Sequence, residues 1–487
     1  MEGGLTNKTS DGSDANARSV TLGVPAERWH GRCTAAFSDA LSALPAGGAH
    51  RRAPGPRRRA ACAARTNPKD RKDPNMRRIF LARVVSLTLS MAGGVALAAD
   101  NGGLTVPAGF TVTVVQEGLG AGRHLAIAAN GDIYLASRNG LVAMRDSNGD
   151  GKVDQTAPFG DVQGSGASIY KNWLYVSDDV GVYRYPLKKG ELAPSGARQT
   201  VVSGFPKERQ HADKTFTLDP KGTLYVNVGA PSNSCQEKDR QEGSQGRNPC
   251  PILEHYGGVW VFDGNKLDQT PANGRRFATG MRNAVAIQWN GSQNALYSVI
   301  HGRDSIDTLF PALYTAEDNA TRQGEEFHKI VDGGDYGWPY TFFDTRLGKR
   351  VVAPEYGGDA KKEPEAGKYP DPLVAFPAHW APNDLLFYSG KNFPAKYQDG
   401  AFIAFHGSWN RAPEPQAGYK VVFQPMKDGK PDGTYEVFAD GFAGELKDNS
   451  PGNAQYRPVG LAVGPDGSLY VADSQKGRIW RITYAGK

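Results

Sequence analysis

Two short segments each set an arginine immediately before an apolar run: Thr279-Gly280-Met281-Arg282-Asn283-Ala284 and Gln455-Tyr456-Arg457-Pro458. Guanidinium groups pair bidentately with carboxylates and phosphates, so arginines delivered to one place would make a pocket for a polycarboxylate or phosphorylated ligand. Scaffold hydrogen bonding or surface charge would use the same residues. Lys207-Glu208-Arg209-Gln210-His211-Ala212-Asp213 adds an imidazole before Phe216-Thr217-Leu218. An uncharged imidazole near neutral pH could take a proton from a substrate hydroxyl, although a lone histidine serves equally as a packing residue. Ser408-Trp409-Asn410-Arg411 supplies an aromatic plane and a further guanidinium that could stack on a flat ring. In Asp146-Ser147-Asn148-Gly149-Asp150-Gly151-Lys152-Val153-Asp154, the oxygens of Asp146, Asn148, Asp150 and Asp154 surround a glycine bend, as calcium loops do. Ala157 stands where an EF-hand would have its bidentate Glu, and an ion-free turn is the alternative.

The elements that must position these residues are strands. With 60 Gly and 32 Pro in 487 residues, long helices are not expected. A turn followed by an aromatic or aliphatic strand recurs six times, in Ile133-Tyr134-Leu135, Trp173-Leu174-Tyr175-Val176, Leu224-Tyr225-Val226, Leu296-Tyr297-Ser298-Val299, Phe402-Ile403-Ala404-Phe405 and Leu469-Tyr470-Val471. Each is followed by a second strand. The pattern predicts an all-β, six-bladed β-propeller in one domain spanning 100–487, with the aromatic strands read as the inner ones. Phe110–Val115 would join the final Ile479–Tyr484 strand and close the ring. Insertions at 230–255, 301–325 and 340–395 are expected over one mouth of the channel, where chemistry is sought. Trp380 and Tyr388 in the last of these would stack on a sugar ring or pack the loop.

Residues 77–99 have a basic start, an apolar stretch and the small-residue signal Ala96-Leu97-Ala98, so 76–99 reads as a secretory signal peptide and 1–75 as a non-native or disordered leader. The first 99 residues hold 16 of the 57 Lys/Arg and 7 of the 51 Asp/Glu, leaving 41 basic against 44 acidic. The net positive charge therefore belongs to the leader, which argues against nucleic acid as a partner. No mature segment approaches the roughly 18 uninterrupted apolar residues of a membrane span, so stable membrane insertion is not expected. Cys235 and Cys250 lie in one polar loop and are expected to form a disulfide. Such a bridge, closing about 15 residues, would contribute roughly 3 kcal/mol in an oxidising compartment. A periplasmic or secreted location follows.

Gly280-Met281-Arg282-Asn283, Gly333-Gly334-Asp335-Tyr336-Gly337-Trp338-Pro339, Ala230-Pro231-Ser232-Asn233-Ser234-Cys235, Tyr456-Arg457-Pro458-Val459-Gly460-Leu461 and His301-Gly302-Arg303-Asp304 together resemble the glucose/sorbosone dehydrogenase family, closest to its sorbosone-type branch. The resemblance covers almost the whole mature chain. It implies a dehydrogenase that uses pyrroloquinoline quinone (PQQ) and calcium to oxidise an aldose or sugar-derived aldehyde to lactone or acid. His211 would be the base and Arg282 the electrostatic partner of the reducing quinone. Asn283 and Arg457 would bind the cofactor. Arg411, with Trp409 beside it, would replace a lysine found elsewhere in the family. The Gly302 and Arg303 carbonyls would hold calcium, with the Asp146–Asp154 loop as a possible second site. Ala230 stands where the glucose-oxidising branch has an acid that orients the histidine, leaving Glu208 or Asp213 as candidate partners. No C-x-x-C-H haem motif is present, so electrons would leave to a separate acceptor. A cofactor-free binding platform and a calcium-dependent sugar lactonase are the rival readings.

Overall fold

The computed structural model describes residues 101–446 and 450–486. The expected leader and signal peptide lie outside the described residues. From residue 110 onward, six sheets of four or five strands form a six-bladed propeller. The first blade is Gly122–Ile127, Ile133–Ser137, Gly140–Arg145 and Gln155–Phe159, hydrogen-bonded in chain order. The sixth takes Pro458–Val463, Leu469–Asp473 and Ile479–Tyr484 from the C-terminal end and Phe110–Gln116 from the N-terminal side. Phe110 pairs with Tyr484, Val112 with Ile482 and Val114 with Trp480, so the ring closes through the strand expected to close it. Alternation along these strands buries Val112, Trp480 and Ile482 against Phe442 and Phe402. Burying each large apolar side chain stabilises the fold by about 1.5–3 kcal/mol.

The aromatic strands read as innermost are in fact second in their sheets. The strands that pack around the axis are the preceding ones: Gly122–Ile127, Ala167–Tyr170, Phe216–Leu218, Ala286–Asn290, Pro382–Phe387 and Pro458–Val463. Several are short, and some face a small polar channel containing His124, Thr215 and Asp384, so their apolar alternation is weak.

The 340–395 segment is likewise more than an insertion. It holds a hairpin, Thr341–Asp344 with Lys349–Val352, then the strand Val374–Phe376 that completes the fourth blade and Pro382–Phe387 that opens the fifth. Its two aromatics pack. Trp380 lies edge-on to Phe405 at 5.2 Å, and Tyr388 stacks on Phe393 at 4.6 Å while donating to the Gly467 carbonyl at 2.6 Å.

The topology sends the loop entering each first strand and the loop leaving each second strand to the same end of the ring. The Asp146–Asp154 loop, between third and fourth strands, belongs to the other end. Its oxygens are used by its own chain: Asp146 accepts from Gly149 and Gly151 N–H at 2.7 and 2.8 Å, Asp150 from Lys152 N–H at 2.8 Å, and Asp154 from the Ser147 hydroxyl at 2.8 Å. Among the described residues, no group of three or more His, Cys, Asp and Glu side chains is placed to hold a metal ion.

Candidate active site

At the loop-rich end lies an open cavity of about 450 Å³, a size usual for a small-molecule site. Its wall carries six arginines, at 123, 138, 209, 240, 282 and 457, against three carboxylates, Asp213, Asp304 and Glu325. His211, Arg282 and Arg457, separated by up to half the chain, line this one cavity, as do Asn283, Gly302 and Trp409.

His211 sits in left-handed backbone, φ 53°, just before the third blade. Its Nδ1 lies 2.5 Å from the Ala230 carbonyl. A carbonyl can only accept, so Nδ1 carries the proton and Nε2 keeps its lone pair. Neither expected partner holds it. Glu208 accepts from the Tyr256 hydroxyl at 2.6 Å, and Asp213 is bound by Arg123 and Arg138. Ala230 N–H in turn donates to the Arg282 carbonyl at 2.8 Å, so one backbone residue ties base to arginine. Burial, then the nearby Arg282 charge, pushes the His211 pKa down to about 3.

Arg282 is buried and held from four directions. Nη1 donates to the Gly302 carbonyl (2.7 Å), Nε to the Asn233 carbonyl (3.2 Å), and Nη2 to Asn233 Oδ1 (3.1 Å) and Asp304 Oδ2 (2.5 Å). Asp304 also accepts from Arg240 at 2.9 Å and from Asn410 Nδ2 at 2.9 Å. These guanidinium groups hold its carboxyl well below the usual range despite burial. The Gly333–Pro339 motif buttresses this arrangement: Trp338 Nε1 donates to the Asn233 carbonyl at 2.9 Å. Gly280 is obligatory here, because with φ 71° a Cβ would meet Asp335 Oδ1 at 2.1 Å and Gly337 N at 2.6 Å.

Unlike Arg282, Arg457 has no carboxylate among the described residues within ion-pair distance. Its Nε and Nη2 donate to the carbonyls of His406 and Gly407 at 3.1 and 2.5 Å, and its guanidinium lies over Tyr419, 5.4 Å from the ring centroid. A cation held by carbonyls alone is suited to an anionic ligand. Trp409, 56% exposed, stands at the rim between the tethered residues Ser408 and Asn410.

One side chain expected at the cavity lies elsewhere. Arg411 is outside the cavity wall and bonds the carbonyls of Pro415 (2.8 Å), Ala378 (3.1 Å) and Ala320. It braces loops, so the guanidinium expected to replace the family's lysine does not line this cavity. Arg303 lies behind Gly302, its guanidinium in a bidentate, fully buried pair with Glu355 at 2.5 and 2.8 Å. Cys235 and Cys250 form the expected disulfide in the adjoining loop.

Several cavity residues were not singled out from sequence. Glu325 accepts from Gly302 N–H at 2.8 Å and Ala381 N–H at 3.1 Å, and burial pushes its pKa up to about 7. His301 bonds the Pro382 carbonyl at 2.7 Å, with its pKa pushed down to about 4 by burial, and His379 and His406 are also shifted down by burial. Isolated histidines carry no spacing signal; only the shared position at strand ends, four of them at one mouth, could have flagged them.

These imidazoles set an expectation for stability. A histidine neutral in the fold and protonatable in the unfolded chain contributes stability that is complete above the unfolded pKa of about 6.5 and is lost as pH falls. Glu325, shifted the opposite way, offsets one of the four. Unfolding midpoints of the apo protein should therefore fall steadily from pH 7 to 5, by about 1 kcal/mol per uncompensated histidine per pH unit. A midpoint constant over that range would show that these histidines titrate normally.

Fold and wall chemistry define a β-propeller with a strongly cationic mouth pocket bearing a neutral imidazole. The chain belongs to the TrAA12-like family, whose model matches residues 104–485. It is 26% identical over 441 residues to a pyrroloquinoline quinone-dependent pyranose dehydrogenase of Coprinopsis cinerea, covering 81% of this chain and 54% of that protein. It is 30% identical over 209 residues to an uncharacterised protein of Borreliella burgdorferi, covering 42% and 48% of the two chains. The chain thus spans about half the length of the curated relatives it matches. Among solved structures, the calcium structure of Trichoderma reesei Carbohydrate-Active Enzymes Family AA12 superposes with a TM-score of 0.64 at 19% identity, over 79% of this chain and 98% of that one. The holo PQQ domain of the Coprinopsis cinerea pyranose dehydrogenase gives 0.60 at 21%, over 78% and 97%. At these identities the structures speak for the fold.

Proposed function

We propose that this chain is an exported, PQQ-dependent dehydrogenase that oxidises an aldose or a sugar-derived aldehyde to the lactone or acid. The observation that carries the reading is the convergence of His211, Arg282 and Arg457 on one cavity whose arginines outnumber its carboxylates two to one. The residues fit the cofactor: PQQ is a flat tricarboxylate, and Arg457 is a sheltered cation that no carboxylate of the described residues pairs directly. When bound, PQQ supplies an ortho-quinone that accepts the hydride leaving the sugar carbon.

The protein's own part begins with His211. Nε2, unprotonated because Nδ1–H is committed to Ala230, takes the proton of the substrate hydroxyl as the C–H hydride departs. Loss of that hydride and proton turns a cyclic hemiacetal into a lactone, or an aldehyde hydrate into an acid. Arg282, fixed by Asp304 and three further acceptor contacts, offers a cation that needs no reorganisation as negative charge develops. Arg457 and Asn283 bind the cofactor's anionic edge, and Trp409 at the rim offers a ring plane. The Gly302 carbonyl, which accepts one bond from Arg282 and keeps a second lone pair, would hold calcium. The Arg303 carbonyl would be its companion ligand, a role independent of the side-chain pair with Glu355. A separate acceptor takes the electrons.

A lactonase would need a Glu/Asp/Asn side-chain cage in the central channel; among the described residues no group of three or more His, Cys, Asp and Glu side chains is placed to hold a metal ion. The test is to add PQQ, with and without calcium, to cofactor-free protein and follow dye reduction with aldoses and sorbosone. Turnover is expected, with chelation lowering cofactor retention; PQQ-independent silence across the panel would leave the binding-platform reading. In the same assay Arg457→Ala should raise the PQQ concentration for half-saturation at least about tenfold while leaving saturated turnover within about threefold. A collapse of turnover at saturation would move Arg457 into the chemical step. N-terminal sequencing of the exported protein, expected to begin near residue 100, tests the location.

A further inference from the structure

The loop carrying His211 and the loop carrying Arg282-Asn283 are joined by a buried side chain outside the cavity wall. Asn227, on the strand Thr223–Val228, is fully buried. Its Oδ1 accepts from Ala284 N–H at 2.9 Å; its Nδ2 donates to the Asp213 carbonyl at 3.2 Å and to Asn283 Oδ1 at 3.2 Å.

Two of these partners leave no freedom. A backbone N–H can only donate and a backbone carbonyl can only accept, so Ala284 and Asp213 fix which end of the Asn227 amide is oxygen. The remaining Nδ2 hydrogen then requires an acceptor from Asn283, which turns Asn283 Oδ1 inward and commits its NH₂ to the other side. Gly229 permits this closeness: a Cβ there would meet His211 Cβ at 2.6 Å, the His211 carbonyl at 2.7 Å and Asn283 Oδ1 at 2.8 Å.

We propose that Asn227 is a positioning residue that sets the polarity of the Asn283 amide, so that the pocket shows an anionic ligand a donor rather than an acceptor, and clamps the two loops together. The ligand half rests on the PQQ reading; the clamp does not. Asn227→Asp keeps size and shape but replaces the two donors with acceptors. Asn283 would then rotate to donate to the new carboxylate and turn its oxygen toward the ligand.

The experiment is a double-mutant cycle with Asn283→Ala, read as PQQ affinity by equilibrium titration and, on apo protein, as unfolding midpoint. Asn227→Asp is expected to weaken PQQ binding by about 10- to 100-fold alone and by less than about threefold in the Asn283→Ala background. Additive losses would overturn the polarity role, since a merely structural defect would persist without Asn283. Asn227→Ala, which removes the clamp without inverting it, should weaken binding less than Asn227→Asp and covers the case in which the acidic variant does not fold. If wild-type protein binds no PQQ, the cofactor reading fails and the apo midpoints still decide the clamp: non-additive destabilisation supports it, and additive values contradict it.

Discussion

Replacing His211 by Ala is expected to lower kcat by at least about 10²-fold, within the 10²–10⁴ that a general base commonly contributes, while PQQ affinity changes little. The expectation rests on proton bookkeeping. Nδ1–H is committed to the Ala230 carbonyl at 2.5 Å, so Nε2 is the unprotonated nitrogen. With its pKa pushed down to about 3, the imidazole is already neutral across the physiological range. The pH profile of kcat/KM should therefore show no inflection near 6.5 from this residue; a limb there, abolished in the variant, would mean that the free enzyme holds His211 at an ordinary pKa. An unchanged kcat would remove it from the chemistry. The absence of an acidic partner has a chemical consequence: the developing imidazolium is not stabilised by an adjacent carboxylate bonded to Nδ1, and Asp304 acts on it only through space.

The largest stability effect is expected at Glu355. Its carboxylate is fully buried, pairs bidentately with Arg303 and accepts from Ser234 Oγ at 2.7 Å. It thereby joins the disulfide loop to the His301–Asp304 turn that supplies Gly302 and Asp304 to the pocket. Removing one partner of a buried pair strands the other charge, a penalty of about 3–5 kcal/mol. Glu355→Gln should cost that much in denaturant unfolding. Replacing both partners by apolar residues of similar volume, as in Arg303→Met with Glu355→Leu, should recover most of it. A loss below about 1 kcal/mol for the single variant would show that water reaches the pair.

The sequence revealed what depends on repetition and on side-chain type. The ring of strands and its closure by Phe110–Gln116 follow from β-branched and aromatic alternation, and the Cys235–Cys250 bridge from two thiols in one polar loop. His211, Arg282, Asn283 and Arg457 were legible because each stands at the entrance to a strand, and a propeller brings such entrances to one mouth. What stayed hidden depends on backbone or on burial. A carbonyl such as that of Ala230 has no residue-type signature, so an acidic partner for His211 was sought among Glu208 and Asp213, both of which are engaged elsewhere. Arg411 shares its segment with Trp409, yet in this irregular loop the two side chains, two residues apart, diverge: Arg411 braces carbonyls while Trp409 reaches the rim. The axis strands leave little trace in the sequence because Phe216–Leu218 and Ala167–Tyr170 are too short to show a period.

The most direct measurement is anaerobic: PQQ-loaded full-length protein mixed with an aldose, with the quinone absorbance followed through a single turnover. One equivalent of quinone reduced per protein, with the rate slowed at least about 10²-fold in His211→Ala, is the result expected if the arginine-lined cavity and its imidazole form one oxidising site. Saturable PQQ binding with no reduction by any aldose or sugar-derived aldehyde would contradict it.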